Sequence, residues 1–203
     1  MARSRPVLLT AALSAAAVAG YLTYRFATTG DSGAPPAEHS EHAAPALPAT
    51  LPDFSLANLA GEQQSIKSWP GKPLLINFWA TWCAPCLREI PMLKDLQTAR
   101  PDLQVVGIAI DKPEPVVEFA GNMEFNYPIL IGQNEGWAAA AAMGVNIYAL
   151  PFTIFTGGDG TILGVHTGEL HAEHLERFRS VVDDLAAGRI GLEAARSRMA
   201  EPI

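Results

Sequence analysis

The 203-residue sequence predicts an α/β fold, a central mixed β-sheet flanked by helices. Three observations predict it. Short, nearly continuous apolar runs recur, as buried parallel strands require. Stretches with helical apolar spacing lie between them. Their order is strand–helix–strand first, then a hairpin and a closing helix. No internal repeat interrupts that order. Hydrophobic residues make up 49% of the chain, enough to bury a core, and the length suits one domain with appendages. A formal net charge of −7 disfavours a nucleic-acid partner, because phosphate binding needs a basic surface.

Arg3 and Arg5 precede an uncharged stretch from Pro6 to Tyr24. A charged start followed by an apolar run is an export signal. Ala17-Val18-Ala19 resembles a small-residue cleavage site, so the segment could be removed. Alternatively it stays as a single membrane anchor, since its length is near the roughly 17–25 residues needed to span. Tyr21 and Tyr24 would then sit at the far interface and Arg3 and Arg5 inside, which favours retention. Residues 1–26 are therefore read as an anchor or signal segment. Residues 27–50 read as a linker, because the stretch from Asp31 to Pro48 is rich in Ala, Pro, Ser, Glu and His and cannot form a core. His39 and His42 fall in it and are read as solvated linker residues.

The domain proper is read as residues 51–186. Leu51 to Trp69 alternates apolar and polar residues around Gly61, which suits a short hairpin. Trp69-Pro70-Gly71-Lys72-Pro73 is a turn. Leu74 to Trp79 reads as a buried strand. Leu87 to Ala99 has helical spacing, with Ile90, Leu93 and Leu96 on one face. Leu103 to Ile110 is a second buried strand, and Pro115 to Ala120 a helix that follows Pro113 and ends before Gly121. Ile129-Leu130-Ile131 is a short apolar run. Glu135 to Met143 is an alanine-rich helix ended by Gly144. Phe152 to Phe155 and Ile162 to His166 are strands joined across Gly157-Gly158-Asp159-Gly160, and His171 to Leu185 is a helix. Residues 187–203 are set apart as a tail, with a final helical piece expected from Gly191 to Ala200.

The chain has two cysteines, Cys83 and Cys86. A structural framework needs several well-separated cysteines, and a bridge closing so small a loop adds little by chain entropy. The pair falls where a buried strand gives way to a helix. A helix start carries unpaired N–H groups and partial positive charge, which favour a thiolate. The thiolate is the attacking species in disulfide exchange. Cys83 is thus expected to be the exposed nucleophile. Cys86 would attack the resulting mixed disulfide and release the product. Pro85 suits the first helical turn. A structural zinc site needs about four ligands, and there is no second cysteine pair. His166, His171 and His174 are all distant in sequence; His171 and His174 could share a helix face but are read as solvent-exposed surface residues. Trp79 reads as packing, and Pro91 as a structural kink.

Asn77-Phe78-Trp79-Ala80-Thr81-Trp82-Cys83-Ala84-Pro85-Cys86 resembles the active-site strand and turn of the thioredoxin superfamily. More narrowly, it is similar to the TlpA/ResA-like branch of bacterial membrane-anchored reductases. The resemblance runs from about Leu51 to Leu185 and takes in Ala149-Leu150-Pro151-Phe152. It implies a thioredoxin-like fold with an N-terminal β-hairpin extension and an inserted strand–helix element near Asp111 to Ile131. It also implies a cis peptide between Leu150 and Pro151, lying against the cysteines and freeing the backbone of residue 150 to pair with a substrate strand. Many family members have a β-branched residue where this chain has Leu150, which bears on substrate preference. Trp82, Ala84 and Pro85 would complete the substrate-facing surface.

Asn77 stands where ordinary thioredoxins have a buried Asp, and Asn cannot titrate. The branch commonly pairs such an Asn with an acidic residue after the cysteines. Here that is Glu89, three residues past Cys86 and on the same helix face. Glu89 would raise a neighbouring thiol's pKa and accept its proton. An exposed carboxylate near Arg88 is the plain alternative.

The implied activity is thiol–disulfide exchange with no cofactor beyond the Cys83–Cys86 disulfide. Ala84 and Pro85 add no charge or donor that would further stabilise the thiolate, which points to a reductase. The resemblance further implies disulfide-containing protein substrates, such as apocytochrome c or copper-site proteins. It implies a CcdA/DsbD-type membrane thiol transporter as electron donor. The place would be the periplasmic face of the inner membrane, or the periplasm if the first segment is cleaved. Two alternatives use the same cysteines: a disulfide oxidase, and a Cu(I)-binding module to which Met92 could contribute. A redox-inert binding protein is disfavoured by the intact pair.

Overall fold

The computed structural model describes residues 49–145 and 149–203. The expected anchor or signal segment, and the linker up to residue 48 with His39 and His42, lie outside the described residues. Among the described residues no helix is long and apolar enough to cross a membrane. The last linker residues are pinned to the domain, since Thr50 bridges Thr161 and the Leu51 N–H donates to the Gly160 carbonyl at 2.8 Å.

β1 (Ser55–Asn58) and β2 (Gln63–Ser65) form the expected hairpin. Its turn is closed by Asn58, whose Oδ1 accepts the N–H groups of Ala60 and Glu62 at 2.9 and 3.0 Å. Gly61 supplies the left-handed residue, with φ at 81°. β3 (Leu74–Trp79) is buried along its whole length. Its alternate residues feed two cores: Leu75 and Trp79 on one face, Leu74, Ile76 and Phe78 on the other.

α1 (Ala84–Ala99) begins three residues before the apolar spacing predicts. Cys83 is its extended N-cap, and Pro85 fits the first turn, so the helix starts at the cysteines themselves. Pro101 follows the C-cap Arg100, and a residue before proline avoids helical backbone. β4 (Gln104–Ala109) pairs in parallel with β3. α2 (Pro113–Met123) takes both prolines into its first turn, where a missing N–H is harmless, and runs on past Gly121 to Glu124 in the left-handed region. β5 (Ile129–Ile131) pairs in parallel with β4 and antiparallel with β1, so the insertion carries the hairpin. α3 (Asn134–Ala142) covers the face of Phe78 and Ile154 through Ala139 and Ala140. β6 (Phe152–Thr156) and β7 (Ile162–Thr167) complete a sheet of order β2-β1-β5-β4-β3-β6-β7 among the described residues. α4 (Ala172–Ala186) packs on the same face as α1, through Leu175, Phe178, Val181 and Val182.

The residues set apart as a tail share the core of this domain. α5 (Leu192–Ala200) buries Ala195 completely and lies on β7 and α4. Arg198 reaches Asp184 at 2.5 Å and Ser180 at 2.9 Å, and Arg196 donates to the Ile162 carbonyl at 3.1 Å.

Far from the cysteines, the β6–β7 turn rests directly on the turn before β3. A Cβ on Gly158 would lie 2.7 Å from the carbonyl oxygen of Gly71, a backbone atom that cannot rotate away. Gly158→Ala is therefore expected to lower stability by about 1–3 kcal/mol, read as an earlier urea midpoint at unchanged slope. An unchanged midpoint would show that the two turns can part freely.

Candidate active site

The site is assembled at the carboxyl end of β3. Ala80 accepts the N–H of Cys83 at 3.2 Å, and the Cys83 carbonyl accepts Leu87 N–H at 3.1 Å as α1 begins. Cys83 and Cys86 are joined as a disulfide, with Cα atoms 5.3 Å apart. Cys83 keeps 5% of its surface and Cys86 none. The expectation of an exposed nucleophile is thus met only in order. Cys83 is the outer sulfur of the two, yet most of it is covered by the chain. The exposed feature is Trp82, 69% accessible, with Ala84 beside it and Pro85 half-buried.

The turn before the pair is held from the inserted element. Asp111 Oδ2 accepts the Thr81 N–H at 3.2 Å and the Thr81 hydroxyl at 2.5 Å, while Oδ1 accepts the Lys112 N–H at 2.8 Å. On the other side lies Pro151. Phe78 pairs with Phe152, so Pro151 falls one step further along the register, at the end of β3 where the cysteines are. The Leu150–Pro151 bond is cis, and the Pro151 carbonyl accepts Gly168 N–H at 2.9 Å. Leu150 is half-buried and packs against both cores.

Beneath the pair is a carboxylate. Glu89 is 1% exposed, not the surface residue beside Arg88 that was the plain alternative. Its Oε1 accepts Asn77 Nδ2 at 2.6 Å, and its Oε2 accepts the N–H of Leu170 at 2.8 Å. The second N–H of Asn77 goes to Thr153 Oγ1 at 3.1 Å. Burial pushes Glu89 up to about 7, against the two hydrogen bonds, which pull the other way; the charge of Glu169 adds to the rise. Burial, with Glu89 close by, also raises the phenol of Tyr127. Arg88 turns outward instead and forks onto Glu169 at 2.9 and 2.5 Å, a hydrogen-bonded pair that lowers the Glu169 carboxyl.

The family resemblance pointed to Asn77 and Glu89, but Thr153, Leu170 and Asp111 were missed. Thr153 left a trace, as the one polar residue inside Phe152-Thr153-Ile154-Phe155. Asp111 directly follows a buried strand, a position where side chains gather around the sheet's end. Leu170 acts through its backbone, and no side-chain pattern reports that.

Other expected residues have settled elsewhere. Trp79 is packing, ringed by Phe119 and Phe125 at 5.5 and 5.6 Å. Met92 packs against the core. His171 is exposed as expected, but His174 is half-buried, its ring 3.9 Å from that of the half-buried His166. Among the described residues no group of three or more His, Cys, Asp or Glu side chains is arranged to hold a metal ion.

A family model described as Redoxin matches residues 48–185. The chain belongs to the Redoxin family. Among curated relatives, the thioredoxin-like protein YneN of Bacillus subtilis is 36% identical over 134 residues, covering 62% of this chain and 74% of YneN. The thiol-disulfide oxidoreductase ResA of Geobacillus kaustophilus is 30% identical over 141 residues, covering 68% and 79%. A crystal structure described as a thiol:disulfide interchange protein of the thioredoxin family, from Chlorobium tepidum, aligns with a TM-score of 0.59 at 27% identity, over 66% of this chain and 96% of that one. The expected thioredoxin-like architecture and the likeness to ResA both hold. With its disulfide-bonded pair at a helix start, this Redoxin chain is a thiol–disulfide oxidoreductase.

The buried carboxylate sets a pH dependence of stability. Its folded-state value, about 7, lies above the ordinary 4.5. The folded state therefore holds a proton that the unfolded state has released between those values, and the slope of stability with pH is negative there. The contribution is fully present below about pH 4.5 and is lost as pH rises through about 7, amounting to about 3 kcal/mol. Urea unfolding of the oxidised protein across this window should show that decline, and Glu89→Gln should flatten it. The same slope in both proteins would mean that Glu89 is not the group responsible.

Proposed function

We propose that this oxidoreductase works as a reductase of protein disulfides, with Cys83 as nucleophile, Cys86 as resolving thiol and Glu89 as the group that handles the proton of Cys86. The observation that carries the reading is the burial of Glu89 one helical turn from Cys86, with a proton affinity near neutrality. In the reduced protein the Cys83 thiolate attacks one sulfur of a substrate disulfide. The substrate S–S bond breaks, a mixed disulfide forms, and the other substrate sulfur leaves as a thiolate that takes a proton. Glu89 then takes the proton of Cys86, whose sulfur attacks Cys83 Sγ. The second substrate thiol is released, and the Cys83–Cys86 disulfide remains, two electrons having passed to the substrate.

Direction follows from what the site does to a thiolate. A strong oxidase owes its potential to an unusually stabilised reduced form. Here the intervening Ala84 and Pro85 offer no added donor, and a carboxylate beneath Cys86 opposes its ionisation. Trp82 and the backbone at Leu150 supply the docking surface in this reading. The remaining parts rest on family likeness and on residues 1–26: tethering at the periplasmic face of a membrane, electrons from a CcdA/DsbD-type transporter, and substrates such as apocytochrome c or copper-site proteins.

The direction is tested by equilibrating the Cys83–Cys86 couple in thiol buffers. A potential near about −270 mV supports the reductase, and one near about −120 mV would reverse it. The division of labour is tested by substitution. Cys83→Ala should abolish reduction of a test disulfide, and Cys86→Ala should accumulate mixed disulfides visible by mass spectrometry. Normal turnover by Cys86→Ala would sink the two-cysteine scheme. Glu89→Gln should lower the Cys86 thiol pKa and slow release at neutral pH by roughly 10²-fold.

A further inference from the structure

The face of the sheet beneath α1 and α4 carries a polar line through an otherwise apolar core. Asn77 on β3 is paired with Thr153 on β6, and Thr153 is paired with His166 on β7. Directly paired residues project to the same face, with Cβ atoms about 5 Å apart. The line therefore runs from Glu89, over Asn77 and Thr153, to His166 at the half-buried margin.

His166 owes its place to an irregularity in β7. Phe155 pairs with Gly164, but Thr156 pairs with Ile162, so Leu163 is an extra residue on β7. In an unbroken strand Ile162, Gly164 and His166 would share one face. Ile162 belongs to the core under α3. The bulge turns the later residues over: Gly164 meets Met199 of α5, and His166 meets the ring of His174 on α4. A bulge commonly re-aims a side chain in this way.

A second route leads from His166 to the same carboxylate. Its Nε2 lies 3.2 Å from the carbonyl oxygen of Glu169. A carbonyl only accepts, so Nε2 carries the proton and donates. The next residue, Leu170, is the one whose N–H holds Glu89 Oε2. The carbonyl that His166 holds and the N–H that holds Glu89 Oε2 thus belong to one peptide unit. We propose that His166 is a positioning residue for Glu89: by fixing the Glu169–Leu170 turn it sets the pH at which the buried carboxylate gives up its proton. The consequence for turnover rests on the role given to Glu89 above; the positioning itself does not.

The charged and titratable groups around this ring are His174 and Arg177 of α4, His171 at its start, and Glu169, with Arg88 of α1 beyond it. Glu201 after α5 completes the rim. His166, His171, His174, Arg177 and Glu201 border a cleft of about 380 Å³ that gives the ring access to water. Burial lowers the pKa values of both His166 and His174, which favours neutral rings near pH 7. His174 Nδ1 accepts the N–H of His171 at 3.0 Å, a bond that protonation of this nitrogen would end.

The test is a carboxyl ¹³C NMR titration of the full-length oxidised protein, with the Glu89 signal assigned by its loss in Glu89→Gln. The Leu170 hydrogen bond favours the charged form. In His166→Phe, which cannot donate to Glu169, the Glu89 midpoint should rise by roughly one pH unit. His166→Gln, whose amide N–H can reach the same carbonyl, should restore it. An unmoved midpoint in His166→Phe overturns the positioning role, as does His166→Gln moving as far as His166→Phe. A midpoint that rises while the pH profile of turnover stays put upholds the positioning role and removes Glu89 from proton transfer.

Discussion

The structure turns on one buried carboxylate. Glu89 sits in the core with a hydrogen bond to each oxygen, from Asn77 Nδ2 at 2.6 Å and Leu170 N–H at 2.8 Å. An ionised group in such a place is costly unless fully paired, and a half-satisfied one is worse than an apolar side chain. Each donor comes from a different part of the fold: Asn77 from the central strand, Leu170 from the turn between β7 and α4. The carboxylate can exist only when β3, α1 and that turn are all in place. The Arg88–Glu169 fork adds a contact on the outside of the same junction, so residues 88 and 89 grip residues 169 and 170 from two sides.

Asparagine at position 77 follows from the same constraint. Its Nδ2 donates to both Glu89 and Thr153. A charged aspartate there would have no donor to give, and it would set two carboxylates against each other unless one stayed protonated. Moving the acid from the strand to the helix, from residue 77 to residue 89, keeps one titratable group under the cysteines and makes its partner a pure donor.

Much of this was legible in the chain. The six residues of β3, the hairpin and the cysteines at a helix start follow from apolar runs, turn residues and spacing, and the insertion from the family resemblance. Glu89 came from the family resemblance, which implies an acid after the cysteines, and the i, i+3 spacing from Cys86 agrees with it. The apolar spacing alone begins α1 at Leu87, because the first turn has little of it to show; the cysteines and Pro85 mark the earlier start, with Cys83 as N-cap. The helix of residues 192–200 was undervalued for a similar reason. Its buried contacts come from small or flexible residues, Ala195 and Met199, which leave a weak apolar stripe. His174 was misread because its meeting with His166 depends on a bulge at Leu163. Alternation along a strand predicts faces only until an extra residue reverses them.

The two cysteines differ in a way that their near-symmetrical motif conceals. Cys83 is the N-cap, on the rim beside Trp82, where the first turn's N–H groups and partial positive charge help a thiolate. Cys86 is inside the helix, without exposed surface, on the side of Glu89. On the proposed mechanism, reduction places a thiol next to a carboxylate of nearly neutral proton affinity, and two negative charges so close cannot both persist in the core. The thiol and the carboxyl then share what is in effect one proton, and their titrations belong to the pair. Cys86 stays protonated while Cys83 waits as a thiolate. Attack on substrate adds no charge to the core, and Glu89 is called on only when the mixed disulfide makes Cys83 Sγ the target.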